Sequence, residues 1–514
     1  MKLKHKKFQH PLNRSFHRLL HCFVCVFLLL TISSSDVHSQ FLTHDLNQFH
    51  SLDDALNHAK NKLNGTLVEL SFNPELHPSQ TVRETGKWDK SKFGREVWTS
   101  GFFSGSLWYM YKITGDEHWK ETAEMWTADL EDAANISYDH DTGFRIFNSF
   151  GNGYKLLENR SYYRVLLRGA STLSNRYDPT IGAIKSWDWD EIGNFPVIID
   201  NLMNLELLFW AAETIENEVL YDQALSHADL SLAHHMREDG STYHIVDFSD
   251  EGTVLDKFTT QGCNSKSPGC GNRTVWARGQ AWAVYGFTMI YRFTKEERFL
   301  QAAIKASDYF INNLPEDRVP IYDFFEPVPS VRSKDASAAA IVASGLFELY
   351  SYTKDVHYFN TAVDILESLS SANYSTIDSD SNSLLKKSTI HRGMGNVGTS
   401  YADYYYIEAI IRYMELVQEE FPTIEPENNL YLDQNYPNPF NNSTLIYYAT
   451  EHEGRVELSI YDYTGRRVQT LVNRNLPAGN YNILFNSSGF SSGVYFYVLR
   501  SNRQTLSKKM TILK

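Results

Sequence analysis

Three stretches of the chain can be laid over one another: YKITGDEHWKETA (111–123), YRFTKEERFLQAA (291–303) and YSYTKDVHYFNTA (350–362). Each has a Tyr, a Thr three residues later, an aromatic residue five after that and an Ala four further on. The pattern predicts a helix ending near the Thr, a short polar turn, and a second helix running back. AAETIENEVLYDQAL (211–225) is a looser copy. A helical hairpin cannot bury its apolar face alone, so such units must stack, either as an open solenoid or as a ring of inner and outer helices closed on itself. The copies are spaced irregularly, at 180 and 59 residues, and the intervening loops are long and rich in Trp, His and Asp. That irregularity favours a closed α/α toroid with a cleft at its centre over a regular solenoid. A chain of 514 residues, 42% apolar, suffices for one large core and a smaller second one.

The two ends depart from this pattern. Residues 1–20 carry six basic side chains and no acid, CFVCVFLLLTI (22–32) is apolar, and Val37 and Ser39 stand at −3 and −1 of a cut before Gln40. Together these describe an export signal over residues 1–39. Its apolar run falls short of the roughly 20 residues that span a bilayer, and no transmembrane segment is expected in the mature chain. Without residues 1–39 the chain has 42 basic and 61 acidic side chains. That balance argues against nucleic acid or an anionic membrane as main partner, although a few local Arg and Lys can still receive an anionic substrate. Cys263 and Cys270 bracket CNSKSPGC, and in an oxidising compartment such a pair can staple a surface loop, two free thiols being the alternative. No second Cys or His pair stands at zinc-ligand spacing, so no metal is expected.

Near residue 420 the character changes. Residues 419–430 open a Pro- and Asn-rich linker, and from 431 onward TLIYYAT, RVELSIYDY, YNILFN, GVYFYVLR and KKMTIL alternate like strands between the turn signals TGR and PAGN. This describes a small β-sandwich over 431–514, without a cluster of acids or histidines that would suggest catalysis. In NYPNPFN (435–441), IYDYTGRRV (460–468), AGNYN (478–482) and SSGVYFYVL (491–499) it resembles the type A C-terminal sorting domain of the type IX secretion system. The resemblance implies export by that machinery to the medium or the cell surface, with the tail usually removed afterwards.

Between these ends, residues 40–418 hold the helical pattern, and polar residues collect where inner-helix ends should meet the cleft. They lie in DHDTGF (139–144), SWDWD (186–190), IIDNLMNLELL (198–208), TYHIVD (242–247), TTQG (259–262) and WARGQAW (276–282). Trp faces stack on pyranose rings while planar polar side chains satisfy hydroxyls, so this mixture suits a sugar site. Asp200 follows FPVII and opens a strongly apolar helix, a position where Asp most often caps. At the lip of a toroid it can also face the cleft, where apolar neighbours would raise its pKa toward general-acid duty. In DHDTGF, Asp141 reads as a turn residue or a second carboxylate for catalysis, His140 as a pocket neighbour, Asp139 as loop polarity and Gly143 as the turn. A lone Arg278 would read as an ion-pair partner and a lone His244 as a packed aromatic.

These segments, with VWTSGFFSGSLWYMY (97–111), RYDPTIGAIKSWDW (176–189), KDASAAAIVASGLFEL (334–349) and YADYYYIEAI (401–410), resemble glycoside hydrolase family 88, the unsaturated glucuronyl hydrolases, over about residues 50–415. The resemblance implies an all-α (α/α)6 barrel and no cofactor, with Asp200 as general acid and base and Asp141 as the second essential carboxylate. It sets His140, His244, Gln261, Arg278 and Trp282 around an unsaturated sugar, Trp98 and Trp187 as aromatic walls, and Thr259 beside Gln261. CNSKSPGC looks like an insertion between Gln261 and Arg278. The implied substrate is an oligosaccharide left by a polysaccharide lyase, ending in a uronate with a C4=C5 double bond. LLKKSTIHRGMGNVG (384–398) resembles the loop bordering the next sugar, where Lys386, Lys387, His391 and Arg392 could meet a sulfate or form a solvated basic loop. A sulfated marine polysaccharide such as ulvan is the preferred source, with glycosaminoglycan fragments as rival. Family 105 rhamnogalacturonyl hydrolases and an inactive sugar-binding relative are the other readings.

Overall fold

The structure is a computed structural model. It describes residues 52–188, 194–259, 274–420 except 327, 330 and 331, and 430–513 except 436, 437, 441, 442, 451, 488 and 503. The expected export signal (1–39), Gln261, the Cys263/Cys270 pair and most of the 419–430 linker lie outside the described residues.

The helices are α1 (Leu52–Glu69), α2 (Ser100–Thr114), α3 (Glu117–Asp129), a π-helical segment (Gly143–Gly151) running into α4 (Asn152–Leu157), α5 (Arg160–Ser174), α6 (Asn201–Ile215), α7 (Glu218–His234), α8 (Ala277–Thr294), α9 (Glu297–Asn312), α10 (Ala336–Thr353), α11 (Val356–Ser370) and α12 (Ser400–Glu420). The sequence repeat is a capping device. Thr114, Thr294 and Thr353 each end an inner helix, and the next residue (Gly115, Lys295, Lys354) is left-handed at φ 64, 54 and 55, its N–H donating to the repeat Tyr carbonyl. That geometry stops a helix by satisfying one of its orphan carbonyls. Asp116 and Asp355 then cap the outer helices by accepting from the N–H groups of His118 and His357. The repeat's aromatic residues and alanines, Trp119/Ala123, Phe299/Ala303 and Tyr358/Ala362, are buried. The looser copy does the same through Glu216 and Asn217.

Among the described residues α2, the π-helical segment, α6, α8, α10 and α12 form the inner ring, each packed on the next, with α12 closing on α2. Inner helices α8 and α10 are buried along almost their whole length, whereas outer helices α5 and α9 bury one face. The fold is an (α/α)6 barrel.

The barrel also carries strands that the sequence reading did not anticipate. After the short hairpin β1 (Tyr177–Asp178) and β2 (Ala183–Ile184), strands β3 (Phe195–Ile198), β4 (Ile245–Phe248) and β5 (Val254–Phe258) form an antiparallel sheet in the order β3-β4-β5. Ala183, Phe195, Val197, Val246 and Phe248 give it a core of its own. Its register pairs Ile198 with Ile245, so the residues just beyond, Asp200 and His244, emerge side by side at the start of α6.

Gly143 is not a turn. It opens the π-helical segment, and a Cβ there would lie 2.6 Å from the Cα of Asn204 on α6. Gly143→Ala should therefore push the two elements apart and cost about 1–3 kcal/mol, measured as a lower denaturant midpoint.

The C-terminal unit follows the expected β-sandwich. Strands β6 (Tyr431–Leu432), β7 (Ser443–Thr450), β8 (Gly454–Asp462), β9 (Arg467–Leu476), β10 (Gly479–Asn486), β11 (Gly493–Ser501) and β12 (Gln504–Ile512) form sheets in the orders β10-β7-β6 and β12-β11-β8-β9. Ile446, Val456, Leu458, Ile460, Phe485, Tyr497 and Leu499 belong to the core they share. No helix among the described residues is long and apolar enough to cross a membrane.

Candidate active site

The N-terminal ends of the inner helices converge at one mouth of the barrel. Asp200 occupies the N-cap position of α6, but in helical geometry (φ −57, ψ −28) and with no side-chain cap hydrogen bond. The capping reading therefore fails for its side chain. Its carboxyl is 13% exposed, lies 3.6 Å from His244 Nε2, and its Oδ2 is buried without a hydrogen-bond partner. Burial pushes its pKa up to about 7, against the opposing pull of the Arg278 charge. His244 is held by the small sheet: its N–H donates to the Phe258 carbonyl at 2.8 Å, and its carbonyl accepts from the Ile199 N–H at 3.0 Å. Its ring stands 4.4 Å from that of Trp276. Burial lowers its pKa to about 3, so near neutrality it meets Asp200 as a neutral dipole.

Asp141 faces the same space. It is 18% exposed and lies 3.4 Å from His140 Nε2. Burial and the Asp139 charge hold its pKa well above the ordinary carboxylate range, and the Asp200 charge adds to this, while Arg145 and Asn204 oppose it. Burial likewise lowers His140 to about 3. Burial thus raises both carboxyls, and at Asp141 the Asp200 charge adds to the effect.

Asp139, read from sequence as loop polarity, is a buried anchor. It receives Arg145 Nη1 at 2.7 Å and Nη2 at 2.5 Å, and its Oδ1 accepts the Asp141 N–H at 2.9 Å. Arg145 in turn donates from Nε to the Glu96 carbonyl at 3.1 Å, just before Trp98.

Arg278 is both an ion-pair partner and a wall of the site. Its Nη1 donates to Asp335 Oδ2 at 3.1 Å and to the Thr389 carbonyl, and its Nη2 to the Ile390 carbonyl at 2.6 Å. The guanidinium stacks on Trp276 at 4.7 Å and Tyr401 at 5.2 Å. Trp98 packs 5.0 Å from Tyr401 and 5.4 Å from Phe144, and Trp282, fully buried, stands 5.3 Å from Phe144. Trp187 is half-buried and its backbone bridges Asp139. Thr259 is buried and shares a short hydroxyl hydrogen bond with Thr274. Gln261 lies outside the described residues.

The sequence reading missed Trp276, Asp335, Tyr401, Asn201 and Asn204. The two asparagines carried a signal: amides three residues apart inside an otherwise apolar helix are seldom buried without a task. Asn204 Oδ1 accepts the Phe144 N–H at 2.8 Å. In the 384–398 loop, His391 is exposed, Lys387 Nζ lies 5.1 Å over the Tyr374 ring, and Arg392 is held bidentately by Glu326 at 2.7 and 2.8 Å.

Comparison with known proteins agrees with this architecture. The profile of Glycosyl Hydrolase Family 88 matches residues 71–414, and that of the secretion system C-terminal sorting domain matches 434–513. The unsaturated glucuronyl hydrolase of Formosa agariphila is 39% identical over 333 residues, covering 62% of this chain and 80% of that protein. The unsaturated chondroitin disaccharide hydrolase of Streptococcus pyogenes is 32% identical over 333 residues, covering 62% and 81%. A crystal structure of an unsaturated glucuronyl hydrolase specific for heparin superposes with a TM-score of 0.66 at 34% identity, covering 72% of this chain and 98% of that one. With the family profile spanning most of the barrel, the chain belongs to Glycosyl Hydrolase Family 88.

Proposed function

We propose that the barrel is an unsaturated glucuronyl hydrolase that removes a 4,5-unsaturated uronate from the non-reducing end of lyase-generated oligosaccharides. The observation that carries this reading is Asp200: a carboxyl at the start of an inner helix that does not cap, is pushed up to about 7 by burial, and faces His244 and Arg278. A group still half protonated at neutrality is suited to give a proton and then to act as a base.

The C4=C5 double bond makes the ring oxygen part of an enol ether. Protonated Asp200 gives its proton to C4, and positive charge develops at C5 and the ring oxygen. The Asp200 carboxylate then takes a proton from water as the water oxygen bonds to C5. The resulting hemiketal opens, the C1–O bond breaks, and the leaving sugar departs as an alcohol. Asp141, with its own raised pKa, orients the ring hydroxyls. Arg278 answers the uronate carboxylate, while Trp98, Trp187, Trp282, His140, His244, Thr259 and Gln261 line the ring. This is hydration followed by collapse, so the carboxylate spacing that separates retaining from inverting enzymes does not apply.

The substrate we assign is a disaccharide from a sulfated marine polysaccharide such as ulvan, with rhamnose as leaving sugar and Lys386, Lys387, His391 and the remaining Arg392 donors near its sulfate. Glycosaminoglycan disaccharides are the second reading, favoured by the names of the streptococcal relative and the heparin-specific structure. The sorting domain supports export through the type IX machinery, to the medium or the cell surface. The test is a panel of lyase products from ulvan, chondroitin, heparin, gellan and pectin, followed by loss of the double-bond absorbance at ~230 nm, the signal consumed by protonation at C4. Turnover of the ulvan product above the others supports the assignment; chondroitin or heparin products turning over fastest transfers it to the second reading, and inertness on all sinks the activity.

A pH dependence follows. Only protonated Asp200 can start the reaction, so kcat/KM should fall about tenfold per pH unit above about 7. Initial rates across pH 5–9, an interval of about four units chosen to bracket that value, give the limb directly. A flat profile through that range would remove Asp200 from the role.

A further inference from the structure

The loop 388–397 is tied down at both ends of a closed circuit of contacts. At its base, Thr389 and Ile390 give their carbonyls to the Arg278 guanidinium, and Ser388 bridges Val397. At its tip, the Ile390 N–H donates to the Met394 carbonyl at 3.0 Å and the Met394 N–H to the His391 carbonyl at 2.8 Å, which turns Arg392 outward toward Glu326. Glu326 takes Arg392 Nε at 2.8 Å and Nη2 at 2.7 Å. This carboxylate is 2% exposed, unusual for a Glu, while Arg392 keeps a quarter of its side chain open. The Glu326 segment leads back to Arg278: the Phe324 N–H donates to the Val275 carbonyl at 3.0 Å, and the Ala277 N–H to the Tyr322 carbonyl at 2.8 Å. Arg83 also holds this tongue, its Nε donating to the Gly395 carbonyl at 2.9 Å, but the Glu326–Arg392 bond is the ion pair that ties the tongue to the Glu326 segment and so back to Arg278. Phe325 and Met394, beside the two ends of the bond, expose 49% and 44% of their surface at this rim.

We propose that Glu326 is a positioning residue: by latching Arg392 it holds the tongue 388–397 over the mouth, keeps the tongue carbonyls on Arg278, and so fixes the wall against which the leaving sugar rests. A bidentate, buried carboxylate–guanidinium bond supplies direction as well as energy, and a preset wall lowers the ordering cost of binding. The turnover part of the test rests on the hydrolase reading above; the structural part does not.

In the full chain, Glu326→Gln keeps the side chain's shape and removes its charge. Hydrogen exchange of the Ile390 and Met394 amides should speed up by at least about tenfold, with the inner helices unchanged. Unaltered exchange in the tongue would overturn the latch whatever the enzyme's activity. With a disaccharide that wild type turns over, KM should rise about tenfold while kcat stays within about twofold, the pattern of lost binding rather than lost chemistry. The basic limb of kcat/KM should also move to higher pH, because a loosened Arg278 restrains Asp200 less. The reversed pair, Glu326→Arg with Arg392→Glu, should restore most of the exchange protection of the Ile390 and Met394 amides lost in either single variant. A lower melting temperature with KM and the pH limb unmoved would reduce the bond to plain structural support and refute the proposal. A wild-type enzyme inert on the whole panel would refute the hydrolase reading, while the exchange result would still decide the latch.

Discussion

Asp200→Asn should abolish turnover while leaving the barrel folded. An amide can neither give a proton to C4 nor take one from water, so the loss falls on both halves of the reaction and should be at least about 10³-fold in kcat, within the range expected for general acid–base groups. Stability should hold for two structural reasons. The side chain makes no cap hydrogen bond, so none is lost at the start of α6. Burial already disfavours the charged carboxylate, and a neutral amide of the same shape relieves that penalty rather than adding to it. The sign agrees with linkage: a folded-state pKa near 7, above an unfolded value near 3.8, means this Asp costs stability as pH rises from 4 to 7, and Asn removes the cost. Loss of absorbance at ~230 nm reports the activity, and a thermal melt reports the fold. A variant with near wild-type rates would sink the assignment. An inactive variant with a melt lowered by more than a few degrees would mean that Asp200 holds the helix after all.

The barrel was legible because its hairpins repeat one capping solution. Tyr, Thr, aromatic and Ala recur since each helix stops through the Tyr carbonyl, and each returning helix buries the aromatic and the Ala. The sheet β3-β4-β5 was not legible, because its strands are only four or five residues long and sit between helices with no repeat to mark them. Yet that sheet sets Asp200 beside His244. In the C-terminal unit, β9 was passed over for a related reason: as an edge strand it exposes most of its residues, and its charged side chains blur the alternation that marked its neighbours. The same limit applied at the site. Asp200, Asp141 and Arg278 stood out by their positions in the sequence and took their roles from motif resemblance, whereas Asn201, Asn204 and Asp335 depend on which helices touch across the ring. DHDTGF shows this within six residues: its turn glycine proved to be a packing glycine, and its loop carboxylate proved to be buried.

That carboxylate carries the largest expected effect on stability. Asp139 and Arg145 are 3% and 1% exposed and joined by two short hydrogen bonds. Asp139→Asn would leave the guanidinium charge in the core with only neutral partners there, the new amide oxygen and the Glu96 carbonyl, and unpairing a buried ion pair in this way costs about 3–5 kcal/mol. The damage should reach the site by two routes. The Asp141 N–H loses a charged acceptor, and Arg145, which also holds the Glu96 carbonyl, is free to shift the segment leading to Trp98. The electrostatics change as well: the Asp139 charge helps hold the Asp141 pKa up, and Arg145 opposes it, so removing the first and keeping the second should lower the pKa of Asp141 and leave it more fully ionised. The control is the double variant Asp139→Asn with Arg145→Met, which removes the stranded charge together with its partner and should regain most of the lost stability. Denaturant midpoints of wild type, both single variants and the double variant give the coupling energy, expected at about 3 kcal/mol. If Asp139→Asn unfolds within about 0.5 kcal/mol of wild type, the ordinary scatter of surface substitutions, then Asp139 is loop polarity and the anchoring of Asp141 must come from Asn204 alone.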